Sequence, residues 1–138
     1  MARSLLLDTC AAIWITENER LSDDAVDAMD SAFRAGIPVF VSPITAWERA
    51  LLSAFGRLRS PVQPLHWFES LVRESKLSVA ALSPEIMINS WYLPPGIHRD
   101  PADRLLVSTA RALDLVLVTR DRPILDYAEQ GHVRAIAC

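Results

Sequence analysis

Short, wholly apolar runs alternate with segments of helical period along this chain, and that alternation limits the fold more than any other feature. Leu5-Leu6-Leu7, Val39-Phe40-Val41 and Leu115 to Val118 are short for helices and lack the polar residue at every second place that a half-exposed strand carries. They read as strands buried on both faces. Val79 to Leu82 and Val133 to Ile136 are weaker strand candidates.

The intervening segments carry helix signals. A helix reads from Ala11 onward. Ser22 can cap another, with Val26, Met29 and Phe33 at helical spacing, Gly36 as a stop and Pro38 beyond it. Ser42-Pro43 places a cap before a proline at the first helical position, and Ile44, Trp47, Leu51 and Phe55 mark one face up to Gly56. Further helices read from Pro64 to Ser75, after Ser83-Pro84, and from Pro123 to Glu129. Asp100-Pro101 opens one that turns Ala102, Leu105, Leu106, Thr109, Ala110 and Leu113 inward, after a loop at Leu93-Pro94-Pro95-Gly96. Strands and helices alternating in this way build a parallel sheet between helices. With 138 residues, no internal repeat and no low-complexity linker, residues 1–138 are expected to form one domain.

Composition narrows the function. Hydrophobic residues at 51% against 22% charged exclude a disordered chain. No run approaches the ~18 apolar residues of a membrane span, and Asp8 and Thr9 interrupt the apolar start from Met1 to Ile15 before it resembles a signal peptide. Two cysteines, Cys10 and Cys138, cannot form a disulfide framework or a zinc quartet, so a cytoplasmic location is expected. A net charge of -3 argues against a broad nucleic-acid-coating surface and leaves room for a local basic patch. Of the 14 basic residues only Lys76 is lysine, which suits bidentate phosphate contacts and equally fits a GC-rich genome.

Four acids fall near strand ends or in the helices that follow, where parallel α/β sheets collect ligands: Asp8, Glu48, Asp103 and Asp121. Carboxylates converging there would repel one another unless a cation neutralised them. Magnesium accepts such an all-oxygen site, and manganese fits the same ligands. One or two ions could activate water for in-line attack on a phosphodiester. Each acid also has a structural reading. Asp100 and Asp103 resemble a helix-capping pair, Thr45 and Glu48 have capping-box spacing, and Asp8 and Asp121 could begin turns.

Taken in order, Leu5-Leu6-Leu7-Asp8-Thr9, Ser42-Pro43-Ile44-Thr45-Ala46-Trp47-Glu48, His98-Arg99-Asp100-Pro101-Ala102-Asp103-Arg104-Leu105-Leu106 and Val118-Thr119-Arg120-Asp121 resemble a VapC-type PIN domain over nearly the whole chain. The segment from Asp100 to Leu106 is the most specific. The resemblance implies a three-layer α/β/α fold around a mainly parallel sheet and magnesium-dependent RNA cleavage as the toxin of a toxin-antitoxin pair. It also implies a VapB-like antitoxin partner and homodimerisation. On the matching positions it assigns the metal site to Asp8, Glu48, Asp103 and Asp121, with Thr119 in support. Asp100, just before Pro101, is expected to support structure rather than ligate metal. Cys10 departs from the asparagine, serine or histidine that relatives often carry there.

Arg99, Arg104, Arg120 and Arg122 neighbour these acids and are candidates for binding RNA phosphates or antitoxin carboxylates, with ordinary surface charge as the alternative. For Arg104, pairing with an acid inside the fold competes. Trp14, Trp47, Trp67 and Trp91 could offer base-stacking surface, although core packing is favoured. His66, His98 and His132 form no close cluster in sequence, and His98 reads as part of the loop leading into Asp100. Two other classes stay open: a DNA nuclease with the same pocket, and a noncatalytic protein-binding module whose acids only cap helices.

Overall fold

The computed structural model describes residues 3–138; Met1 and Ala2, where the run read for a signal peptide begins, lie outside the described residues. The elements in chain order are β1 (Leu5–Leu7), α1 (Thr9–Thr16), α2 (Asp23–Arg34), β2 (Val39–Val41), α3 (Pro43–Ala54) and α4 (Pro64–Glu74). There follow β3 (Ser78–Val79), α5 (Pro84–Asn89), α6 (Pro101–Leu113), β4 (Val116–Thr119), α7 (Arg122–Glu129) and β5 (Arg134–Ala137). The five strands form one sheet in the order β3-β2-β1-β4-β5, every pair parallel.

The period of two along the strands divides the core. Leu5, Leu7, Val39, Val41, Val116 and Val118 face one side and pack with Ala11 and Ile13 of α1, Ala25 and Ala32 of α2, and Trp67 and Leu71 of α4. Leu6 and Leu117 face the other, with Ile44 of α3, Leu106 and Val107 of α6, and Ile124 and Tyr127 of α7. The result is three layers, α/β/α. Each fully buried leucine in it contributes about 1.5–3 kcal/mol over an exposed one, so a one-residue slip of β1, which would swap its two faces, is strongly opposed.

The cap signals in the sequence match the helix starts. Ser22, Ser42 and Ser83 each accept a hydrogen bond from a backbone N–H of the first turn, and Pro43, Pro64, Pro84 and Pro101 each occupy the first helical position.

Several expectations about facing are corrected. On α3, Trp47, Leu51 and Phe55 point outward, Phe55 being 74% exposed, whereas Ile44, Thr45 and Arg49 are buried. Beyond Ile44, the apolar stripe of this helix is therefore not its core-facing side. Leu113 of α6, expected inward, is exposed, and Val26 and Phe33, which only their spacing placed on α2, are exposed too. The third strand is Ser78–Val79 rather than Val79 to Leu82: it pairs only with β2, and after Ala80 donates to the Val41 carbonyl at 2.9 Å the chain leaves the sheet for the Ser83 cap.

Candidate metal centre

β1 lies between β2 and β4, so the connection after β1 runs to one side of the sheet and β4 fills the other. At such a switch point the loops beyond the strand ends diverge and leave a crevice. Asp8 directly follows β1, and Asp121 is two residues beyond β4. The two strands are neighbours, which brings both acids to one edge.

Each acid is held by its own element. The Asp8 N–H donates to the Val118 carbonyl at 3.0 Å, and its carboxylate caps α1 by accepting from Ala11 N–H at 2.7 Å. Buried Thr119 joins the two strand ends: its hydroxyl oxygen accepts from Asp121 N–H at 3.0 Å and its side chain hydrogen-bonds Asp8. Asp121 caps α7 through Ile124 N–H at 3.1 Å. Glu48, in α3, accepts a close hydrogen bond from the Thr9 hydroxyl, which also lies 3.2 Å from the Thr45 hydroxyl. Asp103, in the first turn of α6, donates its N–H to Asp100 Oδ1 at 3.1 Å, so Asp100 caps that helix.

His98 reaches the same place. Its Nε2 is 3.3 Å from Asp103 Oδ2 and 3.1 Å from Asp121 Oδ2. In sequence His98 lies far from the other histidines and reads as loop. The available signal was its position at the head of the His98-to-Leu106 segment, after a proline-rich stretch that fixes where the loop goes. That loop is pinned: Tyr127 Oη donates to the Pro94 carbonyl at 2.6 Å, and Gly96 (φ +120°) has no room for a side chain, since a Cβ would stand 2.8 Å from Gln130 Oε1.

The electrostatics are those of an under-neutralised acidic cluster. Burial, then the charges of Asp100 and Asp121, push Asp103 up to about 7, against the opposing effect of His98. Burial also raises Asp8, partly offset by hydrogen bonds from Thr119 and Ala11, and raises Glu48, partly offset by Thr9. Each of these acids is raised further by another of the group, which places their charges within reach of one another. The carboxylates fit a divalent cation: Asp103 and Asp121 each bring an oxygen within 4.8 Å of the other and of a His98 ring nitrogen, with Asp8 and Glu48 adding hard oxygen donors to the same electrostatic neighbourhood. Cys10 stands at the rim. Partial burial and all four acids push its thiol up to about 11, which keeps it neutral and weakly nucleophilic near pH 7.

The arginines divide by what they touch. Among the described residues Arg104 pairs with no acid: its Nε donates to the Ser90 carbonyl at 2.8 Å, its Nη1 to the His98 carbonyl at 3.1 Å, and its guanidinium lies 5.2 Å from the Trp91 ring centroid. Arg120 stacks on Trp14 at 3.6 Å and donates to the Arg20 carbonyl at 2.9 Å. Arg122 pairs with Asp126 at 3.0 Å on its own helix, and Arg99 is exposed. Of the tryptophans, Trp67 is buried core, Trp14 is partly buried, and Trp47 and Trp91 are exposed, contrary to the expectation of core packing for all four.

Comparison with known proteins agrees with this architecture. The PIN domain family profile matches residues 5–130. Ribonuclease VapC22 of Mycobacterium tuberculosis is 31% identical over 120 residues, 86% of this chain and 88% of that protein. Among solved structures, the VapBC2 structure from Rickettsia felis, bound to a DNA fragment from its promoter, superposes with a TM-score of 0.68 at 16% identity. It covers 97% of this chain and 98% of that one. FitAcB from Neisseria gonorrhoeae gives 0.58 at 20% identity, covering 96% of each chain. These two likenesses speak for the fold, and the sequence matches speak for descent: the chain belongs to the PIN domain family, in its VapC branch.

Proposed function

We propose that this protein is a divalent-metal-dependent endoribonuclease, the toxin of a VapBC-like toxin-antitoxin pair, acting as one domain in the cytoplasm with Mg2+ as cofactor and Mn2+ as a substitute. The observation that carries the reading is the convergence of Asp8, Glu48, Asp103 and Asp121 at the switch point of the sheet, with burial and mutual repulsion raising Asp103 to about 7. RNA as substrate rests on the likeness to Ribonuclease VapC22.

Asp8, Glu48, Asp103 and Asp121 would hold the ion. When bound, it supplies positive charge and Lewis acidity where a phosphodiester accumulates charge during in-line attack by water. The protein's own part is placement. Thr119 ties Asp8 to the backbone of Asp121, Thr9 orients Glu48, and Asp103 gives up a proton held near neutrality when the cation binds. None of these groups is placed as an activated covalent nucleophile, and Cys10 is held as a thiol.

An antitoxin partner is supported by the VapBC2 and FitAcB likenesses, and a homodimer is proposed from the exposed apolar residues on α3 and after α5, including Trp47, Phe55, Trp91 and Tyr92. Among the described residues no helix is long and apolar enough to cross a membrane.

The deciding experiment incubates purified, partner-free protein with labelled RNA and matched DNA pools, with Mg2+, Mn2+ or chelator, beside Asp8→Asn. Metal-dependent RNA cleavage lost in the variant supports the proposal. Cleavage of DNA instead would reassign the substrate, and partner binding without any metal binding would turn the reading toward the noncatalytic module.

A further inference from the structure

Resting on the divalent-metal reading above, we propose that His98 is a positioning residue of the site: its Nε2–H bridges the Asp103 and Asp121 carboxylates and holds them in register for the cation without ligating it.

The position of the proton decides between this role and that of a ligand. His98 Nδ1 accepts the backbone N–H of Asp100 at 3.3 Å. A ring nitrogen facing an N–H cannot carry a proton of its own there, so the neutral ring has its proton on Nε2. Nε2 is the atom that faces Asp103 Oδ2 at 3.3 Å and Asp121 Oδ2 at 3.1 Å. A metal-bound imidazole has the opposite arrangement: it offers a lone pair to the ion and donates its other N–H to an acceptor. At His98 that second position is occupied by a donor. The ring is therefore arranged to give a hydrogen bond to two carboxylates, not an electron pair to a metal.

The need for such a bridge follows from charge. Asp103 and Asp121 arrive from different elements, α6 and the turn after β4, and repel one another where solvent screens poorly. A single N–H shared between them offsets part of that repulsion before a cation is present. The loop is built to hold the ring in place: Arg104 grips the His98 carbonyl, and Tyr127 fixes Pro94 upstream. His98 thus acts on the metal through its ligands, as outer-shell partners commonly do.

The test is nitrogen-15 NMR of the imidazole in the native chain at about pH 8, combined with calorimetric titration of Mg2+ and Mn2+. The expected spectrum shows Nε2 protonated and Nδ1 unprotonated in the metal-free protein, with Nε2 still protonated when Mg2+ is bound. His98→Ala is expected to weaken Mg2+ binding about 10- to 100-fold, and His98→Gln, which keeps an N–H donor, to recover part of that loss. A proton on Nδ1 in the metal-free protein overturns the proposal. So does loss of the Nε2 proton on binding Mg2+, which would make His98 a ligand, or unchanged affinity in a folded His98→Ala. If the native chain binds neither Mg2+ nor Mn2+, the metal reading itself fails, whereas binding with the wrong proton position sinks only the role given to His98. The spectra of the native chain keep the question decidable should the alanine variant not fold.

Discussion

Arg104 Nη1 donates to the His98 carbonyl at 3.1 Å, so the residue that follows Asp103 along the chain grips the backbone opposite that acid. With its second bond to the Ser90 carbonyl and its place beside Trp91, Arg104 holds the loop from within the fold. Charge-assisted hydrogen bonds of this kind contribute about 1.5–3 kcal/mol each. Arg104→Ala is expected to lower stability by about 2–3 kcal/mol in denaturant unfolding while RNA affinity, measured in an Asp8→Asn background, changes little. A large loss of RNA binding with an unchanged midpoint would instead make Arg104 an RNA contact.

Asp103 should govern both chemistry and stability. Asp103→Asn removes a buried charge that the metal-free fold disfavours, so its melting temperature with chelator is expected to rise above that of the native chain. Cleavage should fall on the order of 100-fold or more, as when one preorganised charge-stabilising group is lost. Parallel melting and cleavage assays check both signs, and a variant that melts lower with chelator present would contradict the repulsion described here.

The raised pKa values of the buried acids set the pH dependence. The folded state binds the Asp103 proton more tightly than the unfolded chain does, so its contribution to stability is complete below 3.8 and is lost as pH rises to about 7. Asp8 and Glu48 act in the same direction. Without metal, the protein should melt at a lower temperature at pH 8 than at pH 5. Saturating Mg2+ should reduce or reverse that slope, because the ion binds the ionised carboxylates. Scanning calorimetry with chelator and with Mg2+ reads both slopes.

Arg49 presents a separate stability question. It is buried, its Nε and Nη1 have no hydrogen-bond partner among the described residues, and burial lowers the pKa of its guanidinium. Its Cζ lies 4.5 Å from the Trp67 ring centroid. An unsatisfied buried donor costs about 1–3 kcal/mol, against about 0.5–2 kcal/mol from the aromatic face. Arg49→Met, similar in length and free of donors, is expected to raise unfolding free energy by about 1–2 kcal/mol; a lowered denaturant midpoint would show that the cation has a partner in solution.

Thr9 supplies the hydroxyl that holds Glu48. Thr9→Val keeps the β-branched shape and deletes the donor, and catalytic efficiency is expected to drop about tenfold, equivalent to about 1.4 kcal/mol, with Mn2+ binding weakened alongside. Thr9→Ser should stay close to the native chain.

The strand and helix order was legible because it rests on local physics: Ser22, Ser42 and Ser83 cap, the prolines start helices, and the leucine and valine runs are too apolar to face water. The facing of α3 was not. A stripe such as Trp47, Leu51 and Phe55 identifies an apolar side but not what covers it, and in this chain the sheet-facing side includes Thr45, whose hydroxyl meets that of Thr9, while Arg49 lies over Trp67. Asp8 and Asp121 could be placed at one edge from strand order. His98 could not, because its approach to them depends on a loop pinned by Tyr127, Gly96 and Arg104, contacts that no local pattern encodes.

The central place of β1 has a consequence during synthesis. Leu5 to Leu7 are made early, yet one of their two neighbours, Val116 to Val118, is made more than a hundred residues later. Until then the middle of the sheet is an open edge, and the pocket lacks both Thr119 and Asp121. A nascent chain emerging from the ribosome therefore carries an unfinished sheet, and the acidic crevice closes only after nearly all of the protein, α1 to α6 included, has been made.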